Sequence, residues 1–349
     1  MAAFVSAIHN HYRSIYGHSY TEVKEKLLLL KANPTNIENS CNMTVKGFFK
    51  EWLSAVKLRV KASTYANYQM KVEKHIIPFF GDLRYDMLTI KMIHEFMDKK
   101  IKAGLSTKYV SDIIIVFKSM GKYAAKIYKF RNILSDVTVP KVTAKERPLL
   151  KALQQHRLCK FLLNDINPTA LCVLLSLYTG LRIGEVCGIM WSDIDFENCV
   201  ITVRRTVQRI HTGNHKTKMI VDPPKSIASR RSIPVPTFIM EMLRDSRSKN
   251  NHFIISDSEI IIEPRTLQRR FKSILKKADL PSVNYHSLRH MFATNSLQAG
   301  GDVKTLSEIL EHSSVETTIP VPNSNTKPVA VPTDIHDEYK KVKRFSLVG

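Results

Sequence analysis

The sequence predicts a multidomain, mainly α-helical chain with one small antiparallel sheet. An all-helical unit over residues 43–136 is followed by a mixed α/β unit from residue 149 onward. Three observations carry this. The chain has 349 residues, more than one hydrophobic core ordinarily serves. From Val45 to Met120, apolar residues recur at three- and four-residue spacing, the period of helices with one buried face. Between Cys199 and Val235 the pattern changes to the alternation of half-buried strands.

In chain order, residues 12–17 alternate like a strand, and Ser19 or Thr21 is placed to cap a helix over 20–27 that ends before Asn33-Pro34. One strand and one helix bury no core of their own. Residues 1–40 therefore read as the tail end of a small domain whose earlier strands are absent. In the unit over 43–136, Thr44 caps a helix with Phe48, Phe49, Trp52 and Leu53 on one face. Residues 63–68 open a second helix, closed by Ile77-Pro78 and the turn Gly81-Asp82. Thr89 starts a third, and Ser106-Thr107 starts a fourth that carries Tyr109, Ile113, Val116, Phe117 and Met120. Lysines such as Lys57, Lys61, Lys71, Lys74 and Lys99 punctuate the polar faces, which suits a clamp on nucleic acid. Residues 137–148, with Pro140, Pro148 and basic charge but little apolar content, form an extended linker. Beyond it come apolar helices over 170–178 and 183–191. Strands over 199–205, 219–221 and 231–235 follow, with Gly213-Asn214 and Pro223-Pro224 in the turns. Helices resume at Phe238 and Pro264, then over 286–298 and 303–310.

Composition narrows the function. The formal net charge is +22, and an excess this large points to a polyanionic partner, because each Lys or Arg set against a phosphate releases condensed counterions. The longest apolar run, around 170–178, is too short to span a bilayer, so no membrane partner is expected. The opening residues lack the basic start of a signal peptide. The five cysteines are odd in number and show no CxxC pairing, so neither a disulfide framework nor a zinc ribbon is expected, and a reducing cytosolic compartment is. Neither GxxxxGK[ST] nor GxGxxG is present, so nucleotide hydrolysis lacks its usual hardware and no cofactor is expected.

The residues that carry chemistry are cationic. Arg182 follows Thr179-Gly180 just before a helix, and Lys225 stands in Pro223-Pro224-Lys225-Ser226. His286 and Arg289 lie three residues apart near a helix start, where both side chains project from one face. His312 follows in Glu311-His312-Ser313-Ser314. Two Arg and two His gathered at one point make a cage for a single phosphate diester. A planar guanidinium donates two parallel bonds to a phosphate, and two such groups neutralise the charge that builds in a pentacoordinate transition state. A Lys ammonium or an imidazole can protonate a departing alkoxide. This chemistry needs no metal. His290, four residues after His286, suggests a zinc pair, but no third ligand accompanies it. Arg230 and Arg231 read as DNA-backbone contacts or strand-face charges.

These segments, in this order, resemble the tyrosine recombinases of the phage and conjugative-transposon integrase type. Thr179-Gly180-Leu181-Arg182-Ile183-Gly184-Glu185 is similar to the family's first arginine box, and Pro224-Lys225-Ser226 to the hairpin that carries its lysine. His286-Ser287-Leu288-Arg289-His290 is similar to the second box, and Leu310-Glu311-His312-Ser313-Ser314 to the third. The resemblance implies a SAM-like core-binding domain over 43–136, a tyrosine-recombinase catalytic domain over 149–349 with an atypical C-terminal tail, and a truncated arm-binding-like segment over 1–40. It implies metal-independent strand exchange through a 3′-phosphotyrosyl link, in the service of a phage or other mobile element. Arg182 and Arg289 would hold the scissile phosphate, Lys225 would protonate the 5′-oxygen, His286 would assist proton transfer, and His312 would hydrogen-bond a phosphate oxygen. It also implies double-stranded DNA attachment sites as substrate, a homo-tetramer on DNA, an accessory DNA-bending or directionality protein, and a nucleoid-associated place in the bacterial cytoplasm.

Two departures from the family pattern matter. Glu311 replaces the glycine that usually precedes the third-box histidine, bringing a carboxylate beside an anion site. The family's nucleophilic tyrosine falls about ten residues past that histidine, where this chain has Pro322. Four prolines over 319–332 oppose the short helix that would present a tyrosine. Tyr339 is the one tyrosine beyond the third box and the remaining nucleophile candidate. A catalytically inactive, integrase-like DNA-binding protein is thus the alternative. A type IB topoisomerase-like relaxing enzyme shares the chemistry but not the domain order.

Overall fold

The computed structural model describes residues 19–25, 43–129, 132–141, 148–212, 216–223 and 231–310, and the backbone of 2–8 and 11–17. The chain divides into two compact units, one up to Ala144 and one from Lys145 on, apart from His211–Lys216.

In the first unit, β1 (Ala2–Ile8) pairs antiparallel with β2 (His11–Gly17) along its whole length, from Ala2 opposite Gly17 to Ile8 opposite His11. The sequence reading expected one strand here and placed its partner outside the chain. It missed β1 because Ala2, Ala3, Ser6 and Ala7 give little of the alternation or β-branching by which strands are recognised. Helix α1 (residues 20–25) follows, with the Ser19 hydroxyl accepting from Glu22 N at 3.2 Å.

Four longer helical segments build the core of this unit. Thr44 caps α2 (Val45–Lys57), accepting from Gly47 N at 3.2 Å. Helix α3 (Ala62–Lys71) runs through a π-helical turn, Val72–Ile76, into α4 (Ile77–Phe80). Here the sequence predicts a stop at Ile77-Pro78, yet the helix continues past it. Proline lacks an N–H and crowds the carbonyl four residues back; the π-turn widens the backbone just there, with Ile77 N bonding to Val72 O. Thr89 caps α5 (Ile90–Lys102), and Ser106 caps α6 (Thr107–Tyr128). Phe48, Phe49, Trp52, Phe80, Phe96 and Phe117 are fully buried between them. Their rings tilt against one another, with centroids 5.5 Å apart for Phe49 and Phe117 and 5.4 Å for Phe80 and Phe117. Burying each such ring stabilises the fold by about 1.5–3 kcal/mol. Lys71, read from sequence as a polar-face charge, is only 7% exposed. It is carried inward ahead of the π-turn, its ammonium 6.0 Å from the Tyr109 ring centroid.

The second unit is organised around α8 (Pro168–Thr179), in which every residue from Ala170 to Thr179 is buried. Helix α7 (Ala152–Leu163), which sequence reading missed, packs on it. Asn167 caps α8 by accepting from Thr169 N and Ala170 N, both at 3.1 Å. Helix α9 (Ile183–Val186) is a single turn, whereas the sequence predicts helix over 183–191. The run after it leaves the α-helix for a turn and a 3-10 segment at Trp191–Asp193, with Trp191 N bonding to His252 O at 3.1 Å and Ile189 O accepting from Ile254 N at 3.0 Å. A tertiary partner takes these backbone groups from the helix. The sheet has the order β3 (Ile194–Asp195), β4 (Val200–Thr202), β7 (Ser232–Pro234), all antiparallel, with Ile201 opposite Ile194 and Ile233. A separate hairpin joins β5 (Thr206–His211) and β6 (Thr217–Asp222). Helices α10 (Thr237–Asp245), α11 (Pro264–Lys277), α12 (Ser287–Gln298) and α13 (Val303–Leu310) complete it where the sequence predicts them. Among the described residues, no helix is long and apolar enough to cross a membrane. The helix end at Asn33-Pro34, the turn residues Gly213, Asn214 and Pro224, and residues 142–147 of the linker lie outside the described residues.

Candidate functional site

The candidate cage forms where α8 ends, α9 begins and α12 and α13 close over them. Gly180 terminates α8 in the left-handed region at φ +66°. A side chain there would be strained by that backbone, and its Cβ would lie 2.5 Å from Phe292 Cδ1 and 2.7 Å from Leu310 Cδ2. The glycine thus sets the exit angle that delivers Arg182 to the start of α9 and lets α12 and α13 approach.

Arg182 is held by Glu185, three residues on. Glu185 Oε2 accepts from Arg182 N at 2.9 Å, and Oε1 accepts from Arg182 Nη1 at 3.0 Å. The carboxylate occupies the N3 position of the turn, where it takes up an otherwise unsatisfied backbone donor. Arg182 Nη2 donates to the carbonyl of Leu310, at the C-terminal end of α13, at 3.1 Å. Arg289, in the first turn of α12, is 3% exposed. Its Nη1 donates to Gly180 O at 2.7 Å, and its Nη2 donates to the same Leu310 carbonyl. Two guanidinium groups from distant parts of the sequence therefore converge on a single oxygen.

Tyr285 anchors the chain just ahead of α12. Its hydroxyl lies 2.7 Å from Ser176 Oγ and donates to Cys172 O at 3.0 Å, locking α12 to α8. Burial drives the Tyr285 pKa far above the ordinary phenol value, so it serves as a neutral strut. His286 stands at the N-cap of α12 and is exposed, while Arg289 is buried, so the face that the spacing predicts they share is divided by burial. The His290 ring packs edge-on against the His286 ring, with centroids 4.9 Å apart at 88°.

Arg231 corrects the sequence reading. Read from sequence as a DNA-backbone contact or a strand-face charge, it turns inward: its side chain is 10% exposed and forks onto Glu185, with Nη1 to Oε1 at 3.3 Å and Nη2 to Oε2 at 3.0 Å. Burial of Glu185 raises its pKa, but the Arg231 charge and hydrogen bonds, then Arg182, outweigh this and hold it below the ordinary carboxylate value. Sequence reasoning assigned no role to Glu185; its three-residue spacing from Arg182 at a helix start was the available signal. Lys225, His312, Glu311, Pro322 and Tyr339 lie outside the described residues.

Residues 149–321 match the phage integrase family, and residues 44–101 match the SAM-like N-terminal domain of phage integrases. A tyrosine recombinase XerC-like protein of Caldanaerobacter subterraneus subsp. tengcongensis is 24% identical, over 88% of this chain and 86% of that protein. The ICEBs1 integrase of Bacillus subtilis is 23% identical, over 77% of this chain and 76% of its own. The fold is similar to that of the Tn1549 transposon integrase in complex with a circular intermediate DNA, at TM-score 0.66 and 24% identity, covering 79% of this chain and 94% of that one. It is also similar to a lambda integrase tetramer bound to a Holliday junction, at TM-score 0.62 and 17% identity, covering 94% and 95%. An α8–α9 junction that presents an arginine, a small antiparallel sheet, a second arginine on α12 and a helical SAM-like unit ahead of them are parts in the order of one family: the chain belongs to the phage integrases, the tyrosine recombinases.

Proposed function

We propose that the chain acts in site-specific recombination and integration of mobile DNA, binding double-stranded attachment sites and holding one phosphodiester in the cage of Arg182 and Arg289. The convergence of both guanidinium groups on the Leu310 carbonyl carries this reading, because it marks a point where two cations face one oxygen. The names of the relatives, an integrase and a recombinase, support it, as do the DNA-bound structures that share the fold.

In the reaction, a tyrosine oxygen attacks the phosphorus, a 3′-phosphotyrosyl bond forms, and the bond to the 5′-oxygen breaks. Lys225 delivers the proton that makes the leaving group a hydroxyl, His286 assists proton transfer, and His312 donates to a phosphate oxygen. The arginines stabilise the added charge. The domains proposed for this work are an arm-binding-like segment over 1–40, a core-binding domain over 43–136, a linker over 137–148 and a catalytic domain over 149–349. A tetramer on DNA, as in the lambda integrase tetramer bound to a Holliday junction, and an accessory bending or directionality protein complete the assembly.

A second reading has its own observation. Counting the family's spacing of about ten residues past His312 reaches Pro322 and not a tyrosine, which favours a chain that binds recombination sites without cutting them. A nicked suicide duplex carrying the attachment site, run on a denaturing gel, separates the two. A covalent adduct that disappears in Tyr339→Phe supports the recombinase. Salt-sensitive binding with no adduct supports the non-cutting protein.

A further inference from the structure

Glu185 poses a problem for a phosphate cage. It is needed where it is, because it receives both the backbone and the guanidinium of Arg182. Yet it is a buried carboxylate, 5% exposed, at the rim of a site for an anion. Left alone with Arg182, it would form a neutral pair. A guanidinium facing a lone carboxylate also tends to close a two-bond fork on it, which here would draw Arg182 Nη2 away from the point it shares with Arg289.

We propose that Arg231 is a positioning residue for the cage: by forking onto both oxygens of Glu185, it offsets that carboxylate and keeps Arg182 directed at the phosphate. Each Glu185 oxygen already accepts from Arg231, Oε1 at 3.3 Å and Oε2 at 3.0 Å. Arg182 Nη1 therefore shares Oε1, and Oε2 goes to the Arg182 backbone. Arg182 Nη2 is thereby turned to Leu310 O. The three side chains sum to a formal charge of one positive, where Arg182 and Glu185 alone sum to zero. Arg231 directly precedes β7, so the sheet fixes its approach to α9. It need not touch the substrate.

This rests on the reading of Arg182 and Arg289 as phosphate holders, and the test separates the two ideas. A duplex selected by the protein from a randomised pool is made with an uncharged methylphosphonate walked along its linkages. The caged linkage is the one whose charge ceases to matter in Arg289→Met. Wild-type protein should prefer phosphate over methylphosphonate there by about tenfold, as befits charge-assisted hydrogen bonds. In Arg231→Met the preference should fall to about twofold, while methylphosphonate steps elsewhere keep their effects. In the double variant Arg231→Met with Glu185→Gln it should recover, because the charge that Arg231 offsets is gone. If Arg231→Met alone does not fold, Glu185→Gln is compared with the double variant, between which the preference should not change. A folded Arg231→Met with the full preference overturns the inference, and so does a double variant as defective as the single one. A wild-type protein with no such linkage overturns the cage reading beneath it.

Discussion

Glu185 is the residue on which the site turns, and its chemistry makes a pH prediction. Its folded pKa lies below the ordinary value of 4.5, with burial opposing the shift and the Arg231 and Arg182 contacts imposing it. A carboxyl group depressed on folding stabilises the native state above its unfolded pKa, and that contribution is lost as pH falls through its folded pKa. Stability should therefore decline below about pH 4.5, and Glu185→Gln should make this decline shallower while lowering stability at neutral pH by roughly 1–3 kcal/mol. Urea unfolding across pH 3–7 measures both; an unchanged acid slope would place the Glu185 charge outside the folding balance. Arg182 and Arg289 were legible in sequence because their boxes are local. Arg231 was not: its partner lies on another element, and an arginine before a strand looks the same whether it faces water or a buried carboxylate.

Among the elements, the end of α8 shows how a local rule becomes a site. Thr179-Gly180 reads as a helix stop in sequence, and the structure uses the left-handed turn at Gly180 to pass the chain under Phe292 and Leu310. Gly180→Ala should cost about 2–4 kcal/mol, from the left-handed backbone and the crowding together. Because Gly180 O also accepts from Arg289, the same substitution should weaken phosphate discrimination as well as stability, a pairing read by urea unfolding and the methylphosphonate comparison. Capped helices were found where Thr44, Thr89 and Ser106 announced them. Helix α9 was overestimated because backbone groups after Val186 bond to the 252–254 segment, a tertiary partner. The continuation into α4 was missed because a π-turn within the same segment absorbs Pro78.

For the whole molecule, the net charge of +22 predicts DNA binding dominated by counterion release. A footprint of roughly six to ten phosphates loses about a thousandfold to a hundred-thousandfold in affinity between ~50 and ~200 mM salt. Arg289→Met should reduce the magnitude of the salt slope by about one, the mark of a single lost phosphate contact. An unaltered slope on the selected duplex would remove Arg289 from the phosphate. Fluorescence anisotropy over a salt series supplies the measurement.

Sequence alone determined the helices over 43–136, the mixed α/β character from residue 149 on, the polyanionic partner and the two arginine boxes, because period, capping, charge and short motifs are properties of neighbouring residues. Only tertiary structure decided that Arg182 and Arg289 meet at the Leu310 carbonyl, and that Glu185 is saturated by two arginines with Arg231 turned inward. Those facts join groups far apart in the chain, and the burial that makes a buried charge demand a partner exists only once the core has closed.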